Sequence, residues 1–187
     1  MSIILLEGID GGGKTSLLEL LKKDFQFEYF KYPTQDNKKI RAYLEKKLDI
    51  SGSDLVDLFL EDIFIQQERL RNAGKKRLVI VDRYVFSTIC YEAHLLPKEE
   101  IKRRIELRGF VVPDKVILLD LPAHVSYARK KKLKELDRYE SDVAYLEAVR
   151  NHFLDLYKEK YLTTQWVKID ASKSIEEVYT KLKKEIN

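Results

Sequence analysis

The octapeptide Gly8-Ile9-Asp10-Gly11-Gly12-Gly13-Lys14-Thr15 constrains the fold of this chain more than any other stretch. It fits the pattern G-x-x-x-x-G-K-[ST], whose mechanism needs a strand before it and a helix after it. Both are signalled, by the apolar run Ile3 to Leu6 and by a segment of helical period from Thr15 to Asp24. Glycines let successive backbone N–H groups turn toward phosphate oxygens, and the positive end of the following helix adds to the attraction. Lys14 then reaches the β- and γ-phosphates of a bound nucleotide, and Thr15 offers a hydroxyl to Mg2+, which takes oxygen ligands. The motif does not choose among GTPases, ATPases and kinases.

The rest of the chain repeats the alternation begun there. Ile3 to Leu6, Phe27 to Tyr32, Leu78 to Asp82, Val116 to Leu121 and Trp166 to Ile169 read as strands. Helices are expected over Thr15 to Asp24, Asn37 to Leu48, Ser53 to Ala73, Val85 to Leu95, Lys98 to Leu107, Ala123 to Lys132, Ser141 to Tyr161 and Ser174 to Ile186. Five strands separated by helices imply an α/β fold of the P-loop NTPase type, a five-stranded parallel sheet with helices on both faces. Pro33, Pro97, Pro113 and Pro122 all fall between these elements, where a missing N–H does least harm. No repeat or Gly/Ser linker divides the 187 residues, so 1–187 is expected to form a single domain.

Cys90 is the only cysteine, which excludes an internal disulfide and suits a reducing cytoplasm. Met1 to Leu6 is followed at once by Glu7, which breaks a signal-peptide reading, and no apolar run suggests a membrane partner. The 35 Lys and Arg against 31 Asp and Glu give a mild, mixed-sign net charge of +4, unlike a dedicated nucleic-acid binder, so no nucleic-acid partner is expected.

Two further constellations bear on chemistry. Leu78 to Asp82 is an apolar strand ending in a carboxylate, and a parallel sheet delivers strand ends to the edge that holds the phosphate loop. Asp82 can therefore meet the metal shell, and Arg83 can hold an acceptor phosphate bidentately. From Arg129 to Arg138 the chain reads RKKKLKELDR, a basic lid of about 129–141 whose arginines can close on a transferring phosphoryl group.

Together these pieces resemble the thymidylate kinase family of nucleoside monophosphate kinases. The similarity rests on the phosphate loop with its inner Asp10, the segment Asp82-Arg83-Tyr84-Val85-Phe86-Ser87-Thr88-Ile89-Cys90-Tyr91, the lid sequence Asp137-Arg138-Tyr139-Glu140 and the ending Ile169-Asp170-Ala171-Ser172, in that order. The resemblance implies transfer of the ATP γ-phosphate to dTMP with Mg2+, by a cytoplasmic homodimer. It implies that Gly8, Ile9, Asp10, Gly11, Gly12, Gly13, Lys14, Thr15 and the lid's Arg129 contact ATP, and that Thr15 and Asp82 serve the metal. It further implies that Arg83 binds the acceptor phosphate, that Asp10 lies near the acceptor's sugar and phosphate, and that Phe59 stacks on the base. Ser87 and Thr88 would lie beside the pyrimidine, and Tyr91 would close off the space of a ribose 2′-hydroxyl. Gly11 stands where some family members place an arginine, so the catalytic arginine is expected from the lid, as Arg138 beside Lys14 and Arg83.

Two positions depart from the family's pattern. Ile63 stands where an arginine would reach the base carbonyl, and an apolar side chain cannot donate that bond. Gln35, after Tyr32-Pro33-Thr34, replaces an arginine near the acceptor phosphate, leaving that contact neutral or to Lys31 or Lys38. A pocket reading shape and a methyl group separates dTMP from dUMP by only about 1–3 kcal/mol, so measurable dUMP activity is expected. The competing readings are a deoxynucleoside kinase, with Glu7 as the carboxylate to watch, and a non-catalytic nucleotide switch.

Overall fold

The computed structural model describes residues 2–131, 137–139 and 141–186. Residues 132–136 and Glu140, part of the lid expected over 129–141, lie outside them. Five parallel strands form one sheet in the order β2-β3-β1-β4-β5: β1 Ile3–Glu7, β2 Glu28–Lys31, β3 Val79–Asp82, β4 Lys115–Asp120 and β5 Trp166–Asp170. The two central strands flanking the phosphate loop are buried at every position, β1 over Ile3–Glu7 and β3 over Val79–Asp82. Burial on both faces leaves no alternation of polar residues, and so these strands read as continuous apolar runs in the sequence.

The helices are α1 Lys14–Asp24, α2 Lys38–Leu44, α3 Gly52–Phe64, α4 Gln67–Lys76, α5 Val85–Glu92, α6 Lys98–Arg108, α7 Ala123–Lys131, α8 Val143–Glu159 and α9 Ile175–Ile186. α1 packs on α9, while α5 packs on α3, α6 and α8. Ends of β1 and β3 meet because Leu6 pairs with Asp82, so the loop after β1 and the carboxylate ending β3 share one edge. In an open parallel sheet that edge, where strand order reverses about β1, is where ligands bind.

The helix expected over Ser53 to Ala73 is two helices, not one. α3 ends at Phe64, and α4 begins at Gln67. No glycine or proline marks the break. Gln67 is instead drawn into the core, where its Nε2 donates to the Ile63 carbonyl and its Oε1 accepts from the Tyr84 hydroxyl and the Val111 N–H. The helix expected to continue to Leu48 stops at Leu44, with Asn37 as N-cap accepting from the Ile40 N–H.

Candidate functional site

The phosphate loop obtains its path from residues without side chains. Gly8 sits at φ 128°, and a Cβ there would lie 2.5 Å from the Leu119 carbonyl oxygen. Gly11 sits at φ 77°, and its Cβ would crowd Ser126 at 3.1 Å. A side chain at this position would crowd α7, which closes against the loop through the Ser126 hydroxyl, donating to the Asp10 carbonyl at 2.6 Å.

Lys14 is buried, its Nζ donating to the carbonyls of Gly8 at 2.7 Å and Ile9 at 3.2 Å. Burial, and then the Arg83 charge, lowers its pKa to about 8, against the pull of Asp10, Asp82 and Glu7. Thr15 stands exposed on the first turn of α1. Asp82 is buried at the end of β3, with Oδ2 accepting from the Tyr29 hydroxyl at 3.2 Å and Oδ1 buried with no hydrogen-bond partner among the described residues.

Arg83 follows in the left-handed region, φ 67°, a conformation a non-glycine residue adopts at a cost. Its guanidinium donates to Asp10 Oδ2 at 2.7 Å, Ser87 Oγ at 3.2 Å and the Tyr91 hydroxyl at 3.1 Å, and stacks 4.9 Å from the Tyr91 ring centroid. Burial alone would raise the Asp10 carboxyl, but Arg83, Lys14 and Lys130 together hold it well below the usual carboxylate range. Behind this pair lies Glu7, whose oxygens accept from the Tyr84 N–H and the Ser87 hydroxyl, each at 2.7 Å. Burial pushes Glu7 up to about 7, opposed by Ser87, Arg83 and Lys14.

A cavity of about 440 Å³ opens from Arg83 and Asp10 toward α3. Phe59 and Ile63 of α3 line it, with Ser87, Thr88, Tyr91 and Glu92 of α5. The connection after β2 is fastened over it by Asp62, 4% exposed, which accepts from the Thr34 N–H, the Thr34 hydroxyl and the Asn37 side chain. Thus Asp10, Phe59, Arg83, Ser87, Thr88 and Tyr91 share one cavity.

The two lid arginines part company. Arg129 donates to the carbonyls of Gly11, Ala171 and Ser172, joining the phosphate loop to the end of β5. Arg138 is docked on α2 and the segment after it: it donates to the Tyr43 and Leu48 carbonyls and to Asp49. Three residues that sequence reasoning passed over also line the cavity, Arg41, Glu92 and Tyr139. Arg41 donates to the Gln35 carbonyl, so a guanidinium lies beside the position where Gln35 stands. Glu92 sits on a helix face whose polarity reads as solvated until the fold buries it, Arg41 stays exposed on α2, and Tyr139 is buried in the turn of the segment 137–139.

A family model described as thymidylate kinase matches residues 6–182. A probable thymidylate kinase of Archaeoglobus fulgidus is 34% identical, over 98% of this chain and 94% of its own. Another, from Saccharolobus solfataricus, is 34% identical over 94% and 92%. A thymidylate kinase of Leptospira borgpetersenii is 28% identical over 94% and 88%. Among solved structures, the thymidylate kinase of Candida albicans superposes with a TM-score of 0.78 over 98% of this chain and 89% of that one, at 21% identity, a likeness of fold.

Proposed function

The chain belongs to the thymidylate kinase family, and from that premise we propose how its site performs the reaction. It transfers the γ-phosphate of ATP to dTMP, giving ADP and dTDP. The observation that carries the site assignment is the junction at Asp10: the Arg83 guanidinium and the phosphate loop meet at the mouth of one cavity.

An oxygen of the acceptor phosphate attacks the γ-phosphorus, and the bond to the β,γ-bridging oxygen breaks as ADP leaves. That attacking oxygen is already ionised at neutral pH, so no strong base is required. Lys14 exchanges the Gly8 and Ile9 carbonyls for β- and γ-phosphate oxygens, whose charge keeps its ammonium protonated. Arg83 turns its donors from Asp10 and Ser87 to the acceptor phosphate, which fixes the in-line geometry. Arg129 serves ATP from the loop side, and Phe59, Thr88 and Tyr91 enclose the deoxynucleoside. Arg138 would reach the transferring phosphoryl group by leaving the Tyr43 ring, the Tyr43 and Leu48 carbonyls and Asp49; the Asp49 side chain is 89% exposed, so the ion pair itself resists little.

The residues present fit a divalent ion. A buried carboxylate oxygen of Asp82 has no donor among the described residues, and Thr15 lies at the loop's end. Among the described residues no cluster of three or more His, Cys, Asp or Glu could hold a metal unaided, so phosphate oxygens would complete the shell. When bound, Mg2+ neutralises the β- and γ-phosphate oxygens.

The nucleoside-kinase reading is not favoured: the relatives are thymidylate kinases, and Glu7, the carboxylate it would need as base, is 0% exposed and bonded to Tyr84 and Ser87. A homodimer in the cytoplasm is the assembly we propose, supported by apolar side chains left exposed at Ile65, 73%, and Leu107, 74%. No described helix is long and apolar enough to cross a membrane. The test is ADP release from ATP and Mg2+ with dTMP, dUMP, dCMP, UMP or thymidine as acceptor. Preference for dTMP with a measurable dUMP rate is expected; turnover on thymidine alone would overturn the reading.

A further inference from the structure

The residues around α5 present two rows spaced i, i+4 to the cavity. Arg83, Ser87 and Tyr91 form one, bonded to Glu7 and Asp10. Tyr84, Thr88 and Glu92 form the other, which lines the cavity together with Phe59 and Ile63 of α3, the helix packed against α5. The first row carries the Arg83 charge and lies by the phosphate loop; the second carries two hydroxyls and ends in a carboxylate.

Glu92 is 1% exposed. Its Oε1 accepts from the Tyr139 hydroxyl at 2.7 Å, and its Oε2 is buried with no hydrogen-bond partner among the described residues. A buried carboxylate oxygen without a donor is expensive, and Glu92 lines the cavity, so a molecule bound there can supply one. Phe59 on the same cavity offers a flat face on which a planar ring can stack. On a thymine ring the N3–H is the only donor, set between two carbonyls. Ile63 gives those carbonyls nothing, so the polar reading of the base falls to an acceptor.

We propose that Glu92 reads the acceptor's base, its Oε2 accepting the N3–H of the pyrimidine. The assignment rests on the dTMP kinase reading and deepens it. Thymine and uracil both satisfy it. Cytosine does not, because its N3 is a lone pair that would face the carboxylate.

The groups that face Glu92 are mainly hydroxyls: Tyr139 of the segment 137–139, Tyr43 of α2, and Tyr145 of α8. Asp62 of α3, with Arg41 and Glu45 of the α2 region, lines the same cavity. Burial pushes the Glu92 carboxyl up to about 7, opposed by the Tyr139 bond. Below that pH the protonated group donates instead, which suits cytosine N3 and not the imide.

The test is steady-state kinetics on the full chain with ATP and Mg2+, comparing dTMP with dCMP across pH 6 to 8.5. For the wild type, the preference for dTMP should weaken as pH falls through about 7. Glu92→Leu should raise KM for dTMP about tenfold or more, with a smaller change for dCMP. Glu92→Gln keeps an acceptor oxygen and cannot titrate, so it should restore KM for dTMP and flatten its pH profile. If Glu92→Leu and Tyr139→Phe weaken both acceptors equally, Glu92 merely props Tyr139 and the assignment is overturned. A pH-independent wild-type preference overturns it too. No dTMP turnover by the wild type would sink the kinase reading and this assignment together, whereas turnover with discrimination unchanged in Glu92→Leu sinks the assignment alone.

Discussion

At the scale of the residue, the site is a set of charges held by one another until phosphates arrive. Lys14 spends its donors on two loop carbonyls, and removing it deletes the cation that we propose meets the γ-phosphate. Lys14→Ala should lower kcat by about 10²–10³-fold in the ADP-release assay, and near-wild-type turnover would overturn the mechanism. Arg83 offers a planar fork that an ammonium cannot copy, so Arg83→Lys should lower kcat/KM for dTMP by roughly 10²-fold. Because Lys meets the same strained φ of 67°, unfolding midpoints should move little, which separates lost chemistry from lost fold. Glu92 also predicts a pH dependence of stability. Its pKa rises from 4.5 to about 7 on folding, so the folded chain keeps a proton that the unfolded chain has released. This contribution is complete below pH 4.5 and is lost as pH rises through 7. From pH 5 to 8 the wild type should therefore lose up to about 3 kcal/mol relative to Glu92→Gln in urea titrations. Parallel profiles would mean that the carboxyl titrates normally. Arg83 was legible because it follows an apolar strand, whereas Glu92 was not, since a glutamate on a helix reads as solvent-facing until α3 and Tyr139 cover it.

At the scale of the element, the connection between β2 and α2 depends on α3. Asp62 satisfies two donors of Thr34 and one of Asn37, and so fixes the wall that carries Gln35 and Arg41. Asp62→Ala should destabilise the fold by about 1–3 kcal/mol and raise KM for dTMP more than KM for ATP; equal rises would detach this wall from the acceptor. The phosphate loop is constrained in the opposite way, by an absent atom. Gly8→Ala places a Cβ 2.5 Å from a backbone oxygen and should abolish nucleotide binding in a titration calorimeter. The order and type of β1, β3 and β4 were readable from apolar runs because these strands are buried on both faces, and α1 from the helical spacing of Leu17, Leu18 and Leu21 on its one buried face. The interruption at Ile65–Gln66 was not, because its cause is a side-chain bond to Tyr84, 17 residues away in sequence.

At the scale of the whole molecule, β1, β3 and α1 converge on the edge where we propose that the nucleotide binds, and a ligand taken only by the folded chain stabilises it by mass action. ATP with Mg2+ at about a hundred times its Kd should add about 2.7 kcal/mol, or roughly 5–10 °C in Tm for a chain of this size. Lys14→Ala should lose most of that shift, and a shift retained in full would place the nucleotide elsewhere. The sequence by itself determined the phosphate loop, its flanking strand and helix, the carboxylate and arginine closing β3, and the alternation that makes a parallel sheet. All of these rest on local steric rules or on burial of a continuous run. Tertiary structure alone decided that Arg138 docks on α2 while Arg129 bridges the phosphate loop and β5, that Arg41 stands beside Gln35, and that Glu92 lines the acceptor cavity. Those are long-range juxtapositions, set by which helix faces pack together, and a one-dimensional pattern of polarity does not encode which polar face the core will cover.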